Sequence, residues 1–479
     1  MKIVHPSQPH FTSTRTAFGP TRLLRLALVT VTMNPVFSSA AEAQPAVIAV
    51  ALSTGIPAPQ TIEPDWSKFP LQPAAIPGVR IIKASSDGTI QRFFDTSPFS
   101  PSGRYLAVFR FPREDRTPQP GEAGDVVLVD LLTGKEKTVA QSRGYEMQLG
   151  ANVQWGVTDN ELYFNDVDPK TWQAFAVQFN PLTGSSRRLE GTVFMVSPDG
   201  KQLASYNLVT SPRAQVGYGV IVPESARPPR TPGLDIDDGV YLTDIASGKS
   251  RRIVSLRDIY EKSIPSIAIP HPEEFEFNCF QVKWNPQGTR LLTTVQWKPS
   301  PLAANQKATS QKRRRAVITL RPDGSDLRTA ITPEQWAKSG HHVNWMPDGE
   351  HLSMNLDVDG RPGLEIISVR ADGTDLKVIF KPGSGHPSAH PQGKPFIITD
   401  AYPAEPVAAN DGTSPIRLIN LEKQTEQTLI NIFVSMAEGE FRIDPHPAWD
   451  RTGRFVAFNG FVGNTRNVFV ADLSALLAK

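Results

Sequence analysis

One sequence pattern occurs seven times in this 479-residue chain, and it constrains the fold more than any other feature. Each copy has an aromatic or apolar residue, a short turn rich in proline, aspartate and glycine, and then an apolar strand. In the seven copies, the aromatic or apolar residue and its turn lie at 99–103, 155–160, 196–200, 284–288, 345–349, 389–393 and 449–453. Further alternating apolar strands separated by polar turns follow each copy. Four antiparallel strands repeated in this way predict an all-β protein, a seven-bladed β-propeller.

The ends of the repeat array indicate how the ring closes. The seventh copy reaches Lys479 after only three strands, whereas a lone apolar strand at 79–83 precedes the first copy. We therefore expect this N-terminal strand to complete the last blade, so that neither end leaves an unpaired edge. The predicted propeller domain spans 75–479, and the long stretches 223–232 and 264–274 are interpreted as loops over one face.

The N-terminal residues have the composition of an export signal. Arg22 and Arg25 precede an apolar run at 26–33, and small residues ending in Ala41-Glu42-Ala43 follow. The run is shorter than the roughly 20 residues that span a bilayer, so we predict a cleaved signal peptide over 1–43 rather than an anchor. The Pro- and Ala-rich leader 44–74 is expected to have little structure. The mature protein is predicted to be periplasmic or secreted, without membrane attachment.

Charge and cysteine content exclude several classes of protein. The chain has 50 Lys+Arg against 48 Asp+Glu, a balance that argues against general nucleic-acid binding. The single cysteine, Cys279, excludes an intrachain disulfide and a multi-cysteine zinc module, although it could serve as a soft ligand near the channel. The basic run 312–315 is interpreted as solvated surface, with contact to a polyanion as the alternative.

The repeat register brings polar residues together at the centre of the propeller. The first strand of each blade lines the central channel, so equivalent positions should meet in space. The position three residues before the repeat aromatic is occupied in blade order by Thr96, Asn152, Val193, Gln281, His342, His386 and His446. Imidazole nitrogens and an amide oxygen suit a divalent cation, so the last four predict a metal site. Manganese is favoured over zinc or calcium, and a hydrogen-bonded polar plug is the alternative.

Other candidate site residues lie near the same register. Asp444 and Arg442 are two and four residues before His446 on the same strand face. Arg442 could neutralise a substrate carboxylate, and Asp444 could orient an imidazole or join the metal. His341 is expected to point to the opposite face from His342.

The remaining histidines and the absence of common catalytic motifs limit where a catalytic site could lie. His390 and His351 are interpreted as turn or surface residues, and His271 is undecided. The chain has no Gly-x-Ser-x-Gly elbow, phosphate-binding glycine loop or His-Glu-x-x-His motif, so any catalysis is expected at the channel itself.

Two resemblances add to this interpretation. The Asp-Gly turns and their spacing resemble TolB-type propeller repeats over most of 75–479. More narrowly, the segments 340–345 (GHHVNW), 385–388 (GHPS) and 444–447 (DPHP) resemble the oligogalacturonate lyase family of periplasmic seven-bladed propellers. That resemblance implies Mn bound by histidines and a glutamine, and β-elimination of uronate oligosaccharides by a histidine base with an arginine.

The chain departs from this family at several positions. His342 and His446 match family metal positions, but the last-blade pattern Gln-x-x-His-Pro-His-Pro reads FRIDPHP at 441–447. Gln281 and His386 are expected to replace the missing ligands. The family's base histidine is expected in the fourth blade, where this chain has Gln296-Trp297.

The leading hypothesis is an exported, metal-assisted lyase that acts on an acidic oligosaccharide. Arg442, Asp444 and His341 are its candidate catalytic residues, and Arg442 and Tyr402 its candidate substrate-binding residues. The base remains open among His341, His386 and Tyr402. The alternatives are a non-catalytic TolB-like module that binds a protein or glycan, and a hydrolase that uses the same metal to activate water.

Overall fold

The computed structural model describes residues 62–234, 237–303, 313–360, 363–403, 405–434 and 441–477. The predicted signal peptide 1–43 and most of the leader therefore lie outside the described residues. Seven antiparallel sheets surround a central channel, and each sheet forms one blade. This confirms the predicted seven-bladed, all-β propeller.

The strands follow the chain in order. The N-terminal strands are β1 (Leu71–Gln72) and β2 (Arg80–Lys83). Blade 1 contains β3 (Thr89–Ile90), β4 (Tyr105–Arg110), β5 (Gly124–Asp130) and β6 (Lys135–Ser142). Blade 2 contains β7 (Gln154–Trp155), β8 (Leu162–Val167), β9 (Ala174–Phe179) and β10 (Ser186–Leu189). Blade 3 contains β11 (Met195–Val196), β12 (Gln202–Ser205), β13 (Gly239–Asp244) and β14 (Ser250–Ser255).

The later blades have longer strands. Blade 4 contains β15 (Phe275–Trp284), β16 (Leu291–Pro299), β17 (Arg314–Leu320) and β18 (Arg328–Ile331). Blade 5 contains β19 (Gly340–Trp345), β20 (His351–Leu356), β21 (Leu364–Arg370) and β22 (Lys377–Gly383). Blade 6 contains β23 (Ser388–Ala389), β24 (Phe396–Thr399), β25 (Thr413–Asn420) and β26 (Thr425–Phe433). Blade 7 contains β27 (Ala448–Trp449), β28 (Phe455–Val462) and β29 (Thr465–Asp472), with β2 and β1 outside them.

Helices occur only in short connections of the described chain. The α-helices are α1 (Ser211–Ala214), α2 (Leu256–Lys262), α3 (Pro333–Ala337) and α4 (Ser474–Leu477), and 3-10 turns span Trp66–Lys68, Glu224–Ala226 and Pro272–Glu274. Two of these 3-10 turns fall within the stretches interpreted as loops over one face. None of the helices in the described residues has the length and hydropathy needed to cross a membrane.

The N-terminal segment is more structured than expected. In the register of β2, Arg80 pairs with Asp472 of β29, so β2 is hydrogen-bonded to the last strand of the chain. Trp66 and Phe69 are buried in a cluster with Phe455, and the Trp66 and Phe455 rings are 5.8 Å apart. The described part of the leader thus packs on blade 7, because it contains two large aromatic side chains that the Pro- and Ala-rich composition obscured.

Three of the repeat tryptophans, Trp155, Trp345 and Trp449, join their blade to the one before it. The indole Nε1 of Trp155 donates to the carbonyl of Pro98 at 3.0 Å, and that of Trp345 donates to Lys283 at 3.1 Å. Trp449 makes the same bond to Ser388 at 3.0 Å. A buried indole needs such an acceptor, so the repeated tryptophan both fills the space between blades and fixes their spacing.

An asparagine on the second strand of three blades bonds to the following blade. Asn165 Nδ2 donates to Val193 at 2.9 Å, Asn355 Nδ2 donates to Gly385 at 2.8 Å, and Asn459 Oδ1 accepts from Gln91 at 2.8 Å. Each asparagine lies ten residues after its repeat tryptophan in the sequence. These bonds hold the inner segments, and therefore the register residues, in place around the channel.

Candidate metal centre

Three histidines from consecutive blades meet in the channel. The His386 ring stacks on the His342 ring with centroids 3.7 Å apart, and it contacts the His446 ring edge-on at 4.3 Å. His386 and His446 are fully buried, whereas His342 is half-buried. The repeat register therefore brings together the three histidines it predicted as neighbours.

Local backbone geometry aims these rings inward. His342 and His446 adopt left-handed conformations with φ of 60° and 49°, and Gly385, before His386, has φ of 64°. In β19 the pairing register shifts between His341 and Asn344, as at a β-bulge. Such a conformation is costly for a residue other than glycine, and its recurrence in this register is typical of a functional site.

The bulge also corrects the expected orientation of His341. Strict strand alternation predicts opposite faces for His341 and His342, but their rings are 4.6 Å apart and their Nδ1 atoms 2.9 Å apart. His341 Nε2 lies 3.1 Å from the Glu405 carboxylate. Because the bulge interrupts the side-chain alternation of β19, His341 lies beside His342 rather than on the opposite face.

A carboxylate joins the two buried histidines. Ligand atoms of His386, Asp444 and His446 all lie within 4.8 Å of one another, and Asp444 Oδ2 is 3.8 Å from His446 Nε2. His386 Nδ1 is 2.9 Å from both oxygens of Asp400, so its proton is held there and Nε2 keeps its lone pair. A carboxylate that orients a histidine in this way is common behind metal ligands.

The cluster leaves buried nitrogens without partners. His386 Nε2 and both ring nitrogens of His446 are buried and make no hydrogen bond with any described residue. An unpaired buried polar atom costs about 1 to 3 kcal/mol. Three converging nitrogen and oxygen donors fit a divalent metal ion, which would satisfy these atoms together.

The surroundings keep the imidazoles neutral. Phe93 packs edge-on against His446 at 4.6 Å, and Phe94 lies 5.3 Å from His386. Burial lowers the pKa of His386 to about 3, and burial with neighbouring histidines lowers the pKa values of His342 and His446 far below the ordinary value. A neutral imidazole is the form that binds metal.

Arg442 and Tyr402 are adjacent to the cluster. Arg442 Nε lies 3.4 Å from Asp444 Oδ2, and its side chain is 30% exposed. Desolvation acts to lower the pKa of Arg442, but Asp444, Tyr218 and Tyr402 raise it above its usual value. The Tyr402 hydroxyl is 3.2 Å from His342 Nε2. These side chains connect the buried donors to the more accessible part of the channel.

Other predicted residues have no described side-chain contact with the histidines. Gln281 is buried at a register shift in β15 with φ of 58°, and no hydrogen bond joins it to another described residue. Cys279 is buried, and desolvation raises its thiol pKa, which disfavours the thiolate needed for metal binding. Gln296 and Trp297 are both 1% exposed, so neither faces a substrate.

The remaining histidines have structural surroundings. His390 occupies a turn as expected, but it is 1% exposed and packs 5.0 Å from the Trp449 ring rather than at the surface. His351 lies 2.8 Å from Asp348, and the exposed His271 lies 3.1 Å from Glu273.

Two residues of the site were missed in the sequence. Asp400 and Glu405 each follow β24 and contact a histidine, yet neither occupies the repeat register. A signal was available for Asp400, since it directly follows the strand that pairs with the His386 blade segment. Glu405 lies in an irregular loop that the repeat does not align.

Known structures with a similar fold fit this architecture. An oligogalacturonate lyase in complex with manganese is 14% identical, with a TM-score of 0.57 over 86% of this chain and 97% of that chain. An oligogalacturonate lyase from Vibrio parahaemolyticus is 13% identical, with a TM-score of 0.57 over 85% and 96% of the two chains. A putative TolB from Agrobacterium tumefaciens is 14% identical, with a TM-score of 0.37 over 70% and 93%.

Sequence comparisons add no relative. No protein-family model and no curated protein sequence matches the chain. The likeness to the two oligogalacturonate lyase structures, at 14% and 13% identity, shows the propeller fold alone.

Proposed function

We propose that this protein is an exported, metal-dependent lyase that cleaves uronate-containing oligosaccharides by β-elimination at the channel. The observation that carries the proposal is the set of unpartnered, buried donors of His386 and His446 beside Asp444, with Arg442 next to them. His342, His386, His446 and Asp444 would hold the ion, with manganese as the favoured metal. When bound, a divalent ion supplies a Lewis acid that withdraws electron density from the uronate carboxylate.

Arg442 provides the cationic partner of the substrate. Its guanidinium forms a charge-assisted contact with the uronate carboxylate, whose negative charge increases as the proton on the adjacent carbon leaves. Asp444 accepts from Nε of Arg442, and Tyr218 is a second side-chain partner, so the guanidinium is held beside the ion site. Tyr402 donates a hydrogen bond beside the same group.

His341 is the proposed base. It is 21% exposed, whereas His386 is fully buried and its Nδ1 is held by Asp400. Glu405 accepts the Nε2 proton of His341, so that the basic lone pair lies on Nδ1. The nearby Nδ1 proton of His342 has another acceptor, the Gly385 carbonyl at 2.9 Å, which allows His341 Nδ1 to take the substrate proton.

A binding module is the second candidate. The observation that favours it is the burial of Gln296 and Trp297 at the place where the resemblance expects a base. In that case the channel binds a glycan or a protein without cleaving it, and Arg442 serves only for recognition.

The product distinguishes these functions. Incubation with a uronate oligosaccharide and manganese is expected to give an unsaturated uronate that absorbs in the ultraviolet, and Arg442→Gln should reduce its formation by about 100-fold or more. Arg321→Gln, which lies outside the channel, is the matched control. Reducing ends without ultraviolet absorbance indicate a hydrolase, and substrate binding without any product indicates the binding module.

Export is tested separately. We propose cleavage after Ala43 and a periplasmic or secreted mature protein. N-terminal sequencing of protein recovered from the periplasm or medium is expected to begin at Gln44, whereas retention of Met1 in the cytoplasm contradicts this proposal.

A further inference from the structure

A basic cavity lies beside the strand that carries two of the site histidines. It has a volume of about 720 Å³ and includes Arg313, Arg314, Arg315, Trp336 and Lys338 in its lining. Gly340, the first residue of β19, also lines it and directly precedes His341. The cavity is therefore continuous in sequence with the candidate metal centre but is not part of it.

The cations of this cavity have no carboxylate partner. Within the described part of the chain, the side chains of Arg314 and Arg315 make no hydrogen bond or ion pair, and the Arg313 side chain donates to the amide oxygen of Gln215 at 2.7 Å. Lys338 donates to the carbonyl of Val358 at 3.0 Å. The preceding residues 304–312 contain no aspartate or glutamate in the sequence. The cavity thus concentrates positive charge that the described chain does not neutralise.

The position of Arg315 makes that imbalance costly. Burial, followed by the charge of Arg313, lowers the pKa of Arg315 to about 10, and the neighbouring Tyr402 acts in the opposite direction. A partly desolvated guanidinium without an anion is unfavourable, so a bound carboxylate would stabilise it.

An aromatic ring completes the lining. Trp336 belongs to α3, whose first turn is fixed by a capping box between Thr332 and Gln335. Its Nε1 donates to the Gly340 carbonyl at 2.7 Å, and the Arg315 guanidinium lies 5.6 Å from its ring centre. The indole is 8% exposed and packs in a buried apolar cluster, so it holds the Arg315 guanidinium in place at the wall of the cavity.

We propose that this cavity binds acidic sugar units of the substrate that lie beyond the pair being cleaved. The choice of a uronate chain rests on the proposed function, whereas the arginines without a carboxylate partner and the fixed position of Arg315 are independent of it. The site would make the protein prefer longer acidic oligosaccharides, because a dimer that fills the metal centre does not reach the cavity.

Binding to the full chain without metal tests this proposal. We would measure the affinity of galacturonate hexamer and dimer by calorimetry in the presence of a chelator, so that cleavage does not interfere. The double variant Arg314→Ala/Arg315→Ala is expected to bind the hexamer roughly tenfold more weakly, as for the loss of a charge-assisted contact, and the dimer unchanged. Arg321→Ala, at the other end of β17, is the control and should change neither affinity.

Several outcomes would overturn the proposal. They are an unchanged hexamer affinity in the double variant, an equal loss for hexamer and dimer, and tighter binding of single-stranded DNA of equal charge. Arg315→Gln, which retains hydrogen-bonding capacity and most of the side-chain volume, covers the case in which the double variant unfolds, and it should also weaken the hexamer alone. Length-dependent binding without any cleavage would refute the proposed lyase but support the cavity, whereas cleavage with unchanged hexamer binding would do the reverse.

Discussion

Two clusters of buried polar side chains differ in whether they contain ion pairs: the Arg92–Asp95–Lys283 cluster does, and the His386–His446 pair has ring nitrogens without hydrogen-bond partners among the described residues. On the side of blades 1 to 4, buried Arg92 and Lys283 both pair with the buried carboxylate of Asp95, and Lys283 Nζ lies 3.1 Å from it. Arg92 also donates to Asn152 at 3.0 Å. On the side of blades 5 to 7, His386 and His446 have buried nitrogens without partners.

This difference separates polar groups that stabilise the fold from polar groups that could bind a ligand. Charges that neutralise one another inside a protein require no ligand and hold the blades together. Imidazoles that converge without partners leave a coordination shell for something else to complete. The Arg92–Asp95–Lys283 cluster therefore serves stability, whereas the histidine cluster carries the candidate chemistry.

The largest expected effect concerns the Arg92–Asp95–Lys283 cluster. Asp95→Ala leaves Arg92 and Lys283 buried without their common carboxylate, which is expected to lower the free energy of unfolding by about 3 to 5 kcal/mol. Urea denaturation measures this loss. Asp115→Ala, which removes a 74% exposed carboxylate that pairs with Arg113, should cost less than about 1 kcal/mol. Equal losses in the two variants would contradict a structural role for the Asp95 network.

Asp238 is a buried carboxylate that, unlike Asp95, forms no ion pair with a described residue. It directly precedes β13 in blade 3 and is fully buried. One of its carboxylate oxygens has no hydrogen-bond partner among the described residues, and burial raises its pKa from 3.8 to about 7. The folded state therefore holds its proton more tightly than the unfolded state, so stability falls as pH rises from about 4 to 7.

Asp238→Asn should remove this pH dependence. The variant stays neutral and is expected to be more stable than wild type by roughly 4 kcal/mol at pH 8, with little difference near pH 4. Thermal or urea unfolding across this pH range provides the measurement. A gain of the same size at both pH values would show that the ionised carboxylate is not the cause.

The repeat explains why so much of the fold was predictable. Tryptophans such as Trp155 and Trp345 mark the inner strand in four of the seven blades, and glycines such as Gly349, with φ of 67°, mark the turn that follows. Both signals are local, so the sequence displays them directly. The register of His342, His386 and His446 follows from the same periodicity.

The missed parts of the site depend on breaks in that periodicity. The bulge at His342 turns His341 toward the cluster, and no residue type in β19 announces it. Gln281 shares the register but is not joined to the histidines by any described hydrogen bond, whereas Asp444, from outside the register, lies among them. Side-chain convergence in a channel depends on such bulges and loops, which pattern alone does not specify.

A smaller effect is expected at Asp400, which contacts His386 in the histidine cluster. Asp400→Asn removes the carboxylate that holds the Nδ1 proton of His386, and metal affinity should fall by about 10- to 100-fold. Competition with a chelator of known affinity measures the change. Asp411→Asn, an exposed carboxylate that accepts from Thr413, is the matched control and should leave the affinity unchanged. An unaltered affinity in Asp400→Asn would separate Asp400 from the metal centre.

Tyr402→Phe should have the smallest effect. The variant loses the hydroxyl beside His342 Nε2 but retains the ring, so metal content should persist while the substrate KM rises a few-fold, as for one lost hydrogen bond. Steady-state kinetics with metal analysis on the same samples measures both. Loss of the metal itself would show that Tyr402 supports the ion rather than the substrate.

Metal content tests the central claim most directly. Protein purified without chelator and supplied with manganese should carry about one divalent ion per chain, and His386→Ala and His446→Ala should each lose it. Gln296→Ala, which alters a buried channel-side amide outside the cluster, is the comparison variant and should retain the ion. Wild-type protein without metal after loading with manganese or zinc, or His variants that keep the ion, would contradict the account.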